Sequence, residues 1–358
     1  MRKFKDQIRV TAQLINVEDG SHYWSKNMDK KTDNLFEIQD AIAREVAEAM
    51  QLTLQTGATT QRKVKWNEES QKLYQQGRYF YDRLDDSTAN DLLKRSVALD
   101  SNQAISHLYL SFNSSNLNLA DSLISDLHLK KAFSLDPQLT EAHTAAALNY
   151  LQAFKFDKAW NEINIALSNG SNNPVTLRNA GRVYMAMGKS AEAVAFARKA
   201  VELDPLQTRS WNYLSEILYC DRNYSEVLRI MDQQQIDRYI RRFSCLVLLS
   251  KFKEAREEIH LIKDLEVREY FTLLLDASMG KKIVLSEKYN NNPLYAYELA
   301  VLYANAGNVE RALKHLELAI NSKQENAWLI SVDPMLDPLR KEPGFVRLLK
   351  KMNYPRLD

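Results

Sequence analysis

Residues 174–205 constrain the fold more than any other stretch, because they contain two amphipathic helical segments separated by a short break. Apolar and small residues recur at helical spacing in both segments: Leu177, Ala180, Gly181 and Tyr184 in the first, and Ala193, Ala197 and Ala200 in the second. Gly181 has no side chain and therefore allows the two helix backbones to approach closely. Gly188 permits the turn between the helices, and Pro205 ends the second one. The stretch predicts a helix–turn–helix unit.

This unit resembles the tetratricopeptide repeat (TPR), a helix–turn–helix of about 34 residues. When Pro174 is counted as position 1, residues typical of the repeat stand at positions 4, 8, 11, 20, 27 and 32, which are Leu177, Gly181, Tyr184, Ala193, Ala200 and Pro205. The resemblance implies a mostly α-helical fold in which such pairs stack into a right-handed superhelix.

The unit recurs along the chain. Three alanines, Ala132, Ala166 and Ala200, follow one another at a constant interval that equals the length of one such repeat. They predict repeats near 106–139, 140–173 and 174–207. Looser units are predicted around them at 68–101, at 208–235, from about 236, at 267–291 and at 293–324. We therefore expect a TPR array of about seven repeats over 68–330, followed by a C-terminal cap over 331–358 that covers the last apolar face.

The N-terminal segment, 1–55, follows a different pattern. Apolar and polar residues alternate over residues 7–28 with a turn signal at 16–20, which predicts a β-hairpin. A helix that begins with Asp33 as its cap is predicted to run to Met50. Residues 56–67 lose this periodicity and are expected to be a linker.

The segment from Ile8 to Met50 resembles the last part of the TolB-like α/β domain. That domain precedes TPR arrays in bacterial winged-helix activators of the CadC and invasion-regulator kind, and in TPR-bearing class III adenylate cyclases. The resemblance covers about the second half of such a domain, so we expect a partial α/β element over 1–55. The DNA-binding and cyclase activities of these families lie in other domains, so the resemblance carries neither activity to this chain.

Composition argues against several function classes. The net charge is only +2, with 48 basic and 46 acidic residues, which does not favour nucleic acid or a membrane surface as the main partner. Two cysteines exclude a disulfide scaffold or a four-cysteine zinc site. No apolar run approaches the length of a membrane span. We expect a cytoplasmic protein.

No catalytic constellation is evident. Gly188-Lys189-Ser190 resembles the end of a phosphate-binding loop, but Val183 stands where that loop needs a glycine, so a turn between helices is favoured. The six histidines include no pair at metal-ligand spacing on one helix. We therefore predict no catalytic residues, no cofactor and no metal. An enzyme with a site assembled from dispersed residues is the weaker alternative.

The remaining candidate site is the concave surface that the first helices of a TPR array form. The residues predicted to contact a peptide or protein partner there are Glu141, Thr144, Leu148, Arg178, Arg182, Met185, Arg209, Asn212, Glu216 and Tyr219. Arg178, Arg182 and Arg209 could form a basic patch for a peptide carboxylate. Alternatively, these arginines are solvated or paired with Glu141 and Glu216.

Taken together, the sequence predicts a non-catalytic protein-interaction scaffold or sensor module. The resemblance implies a bacterial regulatory system of the winged-helix activator kind. The alternative is the regulatory TPR region of, or a companion to, a class III adenylate or guanylate cyclase. The hairpin at 7–28 is further expected to pair with a second copy by strand addition and to give a homodimer.

Overall fold

The computed structural model describes residues 2–4, 7–15, 22–31, 67–114, 119–137, 139–170, 172–236, 239–284, 295–324 and 327–355. The chain divides into two compact units, Met1–Lys65 and Trp66–Asp358. Helices dominate the described part of the chain, as the sequence predicts.

The first unit contains a three-stranded antiparallel sheet in the order β1-β2-β3. Its strands are β1 (Arg2–Phe4), β2 (Gln7–Ile15) and β3 (His22–Lys31). Thr11 lies opposite Asn27 in the β2–β3 register. These two strands occupy the residues of the predicted hairpin, but its turn lies outside the described residues, so the hairpin stays a prediction. The helix predicted from Asp33 and residues 56–66 of the predicted linker also lie outside them.

The second unit consists of helices that follow one another in antiparallel pairs. The α-helices of its described residues are α1 (Glu68–Asp82), α2 (Asp86–Leu99), α3 (Ala104–Ser114), α4 (Leu119–Leu135), α5 (Thr140–Gln152), α6 (Phe156–Asn169), α7 (Pro174–Ala186), α8 (Ser190–Leu203), α9 (Thr208–Cys220), α10 (Tyr224–Gln234), α11 (Tyr239–Leu248), α12 (Phe252–Leu261), α13 (Leu265–Ser278), α14 (Ala296–Asn305), α15 (Val309–Asn321) and α16 (Pro343–Lys351). Two 3₁₀ helices, Ala327–Leu329 and Pro334–Leu339, precede α16.

Two features of the α7–α8 pair show how its sequence produces a helix–turn–helix unit. The side chain of Asn173 caps α7 by accepting hydrogen bonds from the backbone N–H groups of Val175 (2.9 Å) and Thr176 (3.3 Å). A Cβ atom added at Gly181 would lie 2.5 Å from Cδ1 of Ile217 and 3.0 Å from the carbonyl oxygen of Ala193. The close backbone approach predicted at Gly181 is therefore confirmed.

The described turns that follow the first helices share one backbone conformation. In each, the second residue after the end of a helix has a positive φ, and among the described residues these are Leu84, Phe154, Gly188, Arg222, Ser250, Gly280 and Gly307. In the α7–α8 turn the N–H of Gly188 donates to the carbonyl of Met185 and that of Lys189 to the carbonyl of Tyr184, both at 2.9 Å. The left-handed residue thus satisfies carbonyls that the helix end leaves open. Four of the seven positions carry a side chain that disfavours this conformation.

Residues 327–354, which we name the strap, follow α15 and contain the two 3₁₀ helices and α16. The strap lies on the last helix pair, where a cap was expected: the Lys351 ammonium is 2.8 Å from the Glu317 carboxylate of α15. It also extends well beyond that pair, because Tyr354 packs on Phe156 of α6 with ring centroids 4.7 Å apart. The strap therefore covers more of the unit than a cap over the last apolar face would.

Candidate protein-interaction groove

The first helices α5, α7 and α9 carry all ten residues predicted to contact a partner. Six of them are buried, namely Thr144, Leu148, Arg178, Met185, Arg209 and Asn212. The other four are partly buried, namely Glu141, Arg182, Glu216 and Tyr219. None of the ten is exposed, because other segments of the same chain cover them. Their contact with a separate partner stays a prediction.

Arg178 of α7 is fully buried, at 0% exposure. Its Nη1 donates to Oε1 of Gln207 at 2.5 Å, and its Nη2 lies 3.5 Å from the Asp82 carboxylate at the end of α1. Its guanidinium carbon is 5.8 Å from the ring centroid of Tyr81. The ion pair with Asp82 is too long for a hydrogen bond, but it compensates a charge that burial would otherwise make very costly.

Arg209 of α9 contacts the same end of α1 as Arg178 does. Its Nε donates to the carbonyl of Tyr81 at 2.7 Å, and its Nη2 pairs with the Asp86 carboxylate of α2. Its guanidinium carbon lies 3.9 Å from the centroid of the Tyr81 ring. Burial raises the pKa of Tyr81 to about 12, so this phenol stays protonated at neutral pH. The start of the helical unit is thus fastened to α9.

Arg182 of α7 makes different contacts. Its Nε donates to Oε1 of Glu216 at 3.0 Å. Its guanidinium carbon lies 4.7 Å from the ring centroid of Tyr213 and 4.9 Å from that of Trp328, the second residue of the strap. Glu216 also accepts a hydrogen bond from Nη2 of Arg241 at 3.3 Å. The pairing with Glu216 that the sequence left as an alternative is therefore present at Arg182.

The expected basic patch is only partly formed. Arg178 and Arg209 meet around Tyr81, but their carboxylate neighbours are Asp82 and Asp86 rather than Glu141 or Glu216. The sequence does not indicate either aspartate as a neighbour of these arginines, since both lie in a unit that matches the repeat only loosely. Glu141 instead accepts a hydrogen bond from the side-chain amide of Asn173 at 2.8 Å.

The strap is fastened to the groove through Asp333. This carboxylate accepts hydrogen bonds from the hydroxyl of Tyr219 on α9 at 2.8 Å and from that of Tyr297 on α14 at 2.6 Å. It also caps the second 3₁₀ helix by accepting from the N–H of Met335 at 2.9 Å. Burial, followed by the nearby charge of Asp333, raises the pKa of both Tyr219 and Tyr297 well above the usual value. Both phenols therefore remain donors to the carboxylate.

The strap makes further polar contacts with the helical unit. Arg222, just after α9, donates to both carboxylate oxygens of Asp337 at 2.8 and 3.0 Å. The side-chain amide of Asn305 on α14 donates to the carbonyl of Met335 at 2.9 Å. Within the strap, Arg340 donates to the carbonyls of Ser331 and Asp333. The strap thus has its own internal hydrogen bonds as well as polar contacts to α9 and α14.

The residues that the sequence offered for a phosphate, thiol or metal site have structural roles instead. Gly188 and Lys189 lie in the turn between α7 and α8, and Ser190 is the first residue of α8. Burial raises the pKa of Cys245 to about 12 and that of Cys220 well above its usual value, which disfavours a reactive thiolate. Within the described ranges, no three His, Cys, Asp or Glu residues lie close enough together to hold a metal ion. None of the helices described there is both long and apolar enough to cross a membrane.

Comparison with known proteins adds one family match. A family model for the tetratricopeptide repeat matches residues 179–205, which span most of α7, all of α8 and the turn between them. The putative adenylate cyclase 3 of Rhizobium meliloti (strain 1021) is 27% identical over 161 residues, which are 45% of this chain and 22% of that protein. The chain therefore spans about a fifth of the curated relative that it matches.

Several solved structures are similar to the chain at low identity. A tetratricopeptide repeat protein from Parabacteroides merdae is 15% identical, covering 76% of this chain and 99% of its own, with a TM-score of 0.39. PilF of Pseudomonas aeruginosa is 17% identical, covering 58% of this chain and 91% of its own, with a TM-score of 0.37. YrrB, described as a TPR protein with an unusual peptide-binding site, is 16% identical, covering 67% of this chain and 96% of its own, with a TM-score of 0.27. The family model and the observed helix pairs together support a tetratricopeptide repeat protein.

Proposed function

We propose that this chain is a non-catalytic protein-interaction module whose first helices form the binding groove. The observation that carries the proposal is the strap, because the groove already holds a polypeptide segment through named side chains. Tyr219, Tyr297 and Arg222 bind carboxylates of that segment, and Arg182 packs against its tryptophan. Charge-assisted hydrogen bonds and aromatic contacts of this kind are those by which proteins recognise peptides.

A displayed peptide library selected on the full-length protein tests this proposal. Selected peptides that carry a photoactivatable residue should cross-link to the first helices α5, α7 and α9. Binding should be lost in Arg182→Glu, which reverses a charge in the groove, and retained in Arg256→Glu, which makes the same change at an exposed position of the second helix α12. Cross-links confined to second helices, or equal binding to both variants, would contradict a binding groove.

At a finer level, the proposed setting is a cytoplasmic regulatory system of bacteria. The resemblance of residues 8–50 to the end of a TolB-like domain supports this setting, together with the helix pairs that follow. The DNA directly upstream tests it, since the proposal expects an in-frame winged-helix segment there. An in-frame cyclase segment would favour the second candidate described next.

The second candidate is a regulatory region that belongs to, or accompanies, a class III nucleotide cyclase. The match to a putative adenylate cyclase supports this candidate, although it covers only 22% of that protein. The measurement is cyclase activity of a cognate catalytic domain with and without the purified chain. An unchanged rate over micromolar concentrations of the chain would argue against it.

The proposed homodimer through residues 7–28 can be tested separately. Strand addition would pair one copy with another along an open sheet edge. Light scattering at micromolar concentration should then give twice the mass of the 41.4 kDa chain. A monomeric mass would remove this part of the proposal.

A further inference from the structure

The contacts of the strap cross a large sequence distance, which distinguishes it from a terminal cap. In a stack of repeats each unit contacts mainly its neighbours, so a cap would touch only the last pair. Here Tyr219 and Asp333 are 114 residues apart, and Arg222 and Asp337 are 115 residues apart. The strap therefore returns to α9, on the same first helices that carry the predicted partner residues.

Three strap residues that lie within ten positions of one another make these contacts. Trp328 is 1% exposed and lies against Arg182. Asp333, five residues further on, meets two tyrosine hydroxyls, and Asp337, four residues after that, meets Arg222. Each aspartate is followed directly by a proline, which restricts the backbone and lowers the entropy lost on binding.

The strap also maintains its own shape. Arg340 bonds to two backbone carbonyls and to the Asp337 carboxylate, all within the segment from Ser331 to Arg340. Its connection to α15 includes Lys323, whose φ of 51° marks a left-handed turn. The segment from Ser331 to Arg340 therefore has hydrogen bonds of its own besides those it makes to the helices.

We propose that the groove formed by α7, α9 and α14 binds partner peptides with the chemistry of the strap, and that the strap is the resident competitor of those peptides. The partner peptide carries a tryptophan, an Asp-Pro five residues later and a second acidic residue four residues after that. This inference rests on the proposed function and specifies the partner of the same groove. The tethered strap competes at a high effective concentration, so a partner gains access when the strap is weakened.

A fluorescently labelled peptide of residues 327–342 tests the inference by anisotropy titration against the full-length protein. Asp333→Ala removes the strap contact to Tyr219 and Tyr297, and this variant should bind the peptide at least about tenfold more tightly than the wild-type protein. Asp264→Ala is the matched control, because Asp264 also caps a helix but lies in α13's exposed N-terminal turn. It should bind as the wild type does.

Two further measurements keep the test decisive. Asp337→Asn weakens the half-exposed pair with Arg222 and should also increase peptide binding, which covers the case in which Asp333→Ala does not fold. A peptide that carries Asp333→Ala should bind none of the proteins. Equal affinity of wild-type protein, Asp333→Ala and Asp337→Asn for the labelled peptide would overturn the inference.

The outcome also separates this inference from the proposed function. Failure of the labelled peptide on every folded variant, with library peptides still cross-linking to α7 and α9, would overturn the competitor and leave the groove. Failure of both kinds of peptide would overturn the proposed function as well.

Discussion

The α7–α8 pair and the strap differ in the sequence separation of the residues that stabilise them. Gly181 and Ala193 bring α7 and α8 together through contacts between residues close in sequence, with no charged side chain involved. The strap buries Trp328 and Leu336 in the hydrophobic core, and Asp333 and Asp337 add polar contacts to residues more than a hundred positions earlier in the chain. Packing between residues close in sequence therefore forms the helix pair, whereas apolar burial and hydrogen bonds between distant parts of the chain together hold the strap.

The largest loss of stability is expected from a substitution in the strap. Asp333→Ala leaves the hydroxyls of Tyr219 and Tyr297 without their shared acceptor and removes the cap at Met335. Hydrogen bonds to a charged group contribute about 1.5–3 kcal/mol each, so the free energy of unfolding should fall by roughly 3 kcal/mol or more. Chemical denaturation measures this. Asp264→Ala, which removes only a cap, should cost about 1 kcal/mol. Equal losses in the two variants would show that the tyrosine contacts contribute little.

The next largest loss of stability is expected from a substitution in the α7–α8 pair. Gly181→Val places a branched side chain where a Cβ atom already meets Ile217 at 2.5 Å. Overpacking of this kind costs on the order of 1–3 kcal/mol. Thermal melting checks it, with Ala191→Val as the control, since Ala191 is exposed on α8 of the same pair. A melting temperature equal to that of the control would contradict the close approach.

These two sites also show how far the sequence could predict the structure. The regular spacing of the repeats placed the central helix pairs and the contact at Gly181, because such packing depends on residues near in sequence. The positive φ at Leu84, Phe154, Arg222 and Ser250 was not foreseen, since in these turns only a glycine signals such a conformation. The repeat geometry imposes it on the other residues.

The occupation of the groove could not be predicted from the sequence in the same way. The concave positions of α5, α7 and α9 followed from the repeat register, but Arg178 and Arg209 were expected to be available to a partner. Their charges are compensated by Asp82 and Asp86, and nothing periodic links these aspartates to residues so much later in the chain. Trp328 and Asp333 likewise have no local pattern that indicates α7 or α9 as their neighbours.

A smaller gain of stability is expected from a substitution in the turn after α11. Ser250 is exposed and adopts a φ of 57°, a region in which a residue with a Cβ atom is strained. Ser250→Gly should raise the free energy of unfolding by roughly 0.5–1 kcal/mol, because the relief of strain outweighs the added freedom of the unfolded chain. Denaturant titration measures it. A decrease would mean that local turn strain does not limit the stability of the pairs.

The pH dependence tests a third kind of contact, between α3 and α4. Nε2 of His107 donates to the carbonyl of Ser101, so its Nδ1 accepts from Nδ1–H of His128 at 2.9 Å. Burial, followed by the nearby His107 and Lys94, lowers the pKa of His128 to about 4. Burial also lowers the pKa of His107, with Lys131 adding to the effect.

The sign of the effect follows from these directions. The unfolded chain binds protons more readily than the folded chain, so this part of the stability is present above about pH 6.5 and is lost as the pH falls toward 4. His128→Asn retains a side-chain N–H donor without the titration. It should therefore show a weaker fall in melting temperature over that range than the wild-type protein. Parallel pH profiles would contradict a contribution from this pair.

The position of the strap is the central claim, and photo-cross-linking tests it most directly. Benzoylphenylalanine in place of Trp328 lies beside Arg182, where the tryptophan ring centroid is 4.9 Å from the guanidinium carbon. Mass spectrometry of the irradiated monomer should find cross-links to α7, near residue 182, and to neighbouring residues of α9. Cross-links restricted to α14 and α15 would show that the strap is only a terminal cap and would contradict an occupied groove.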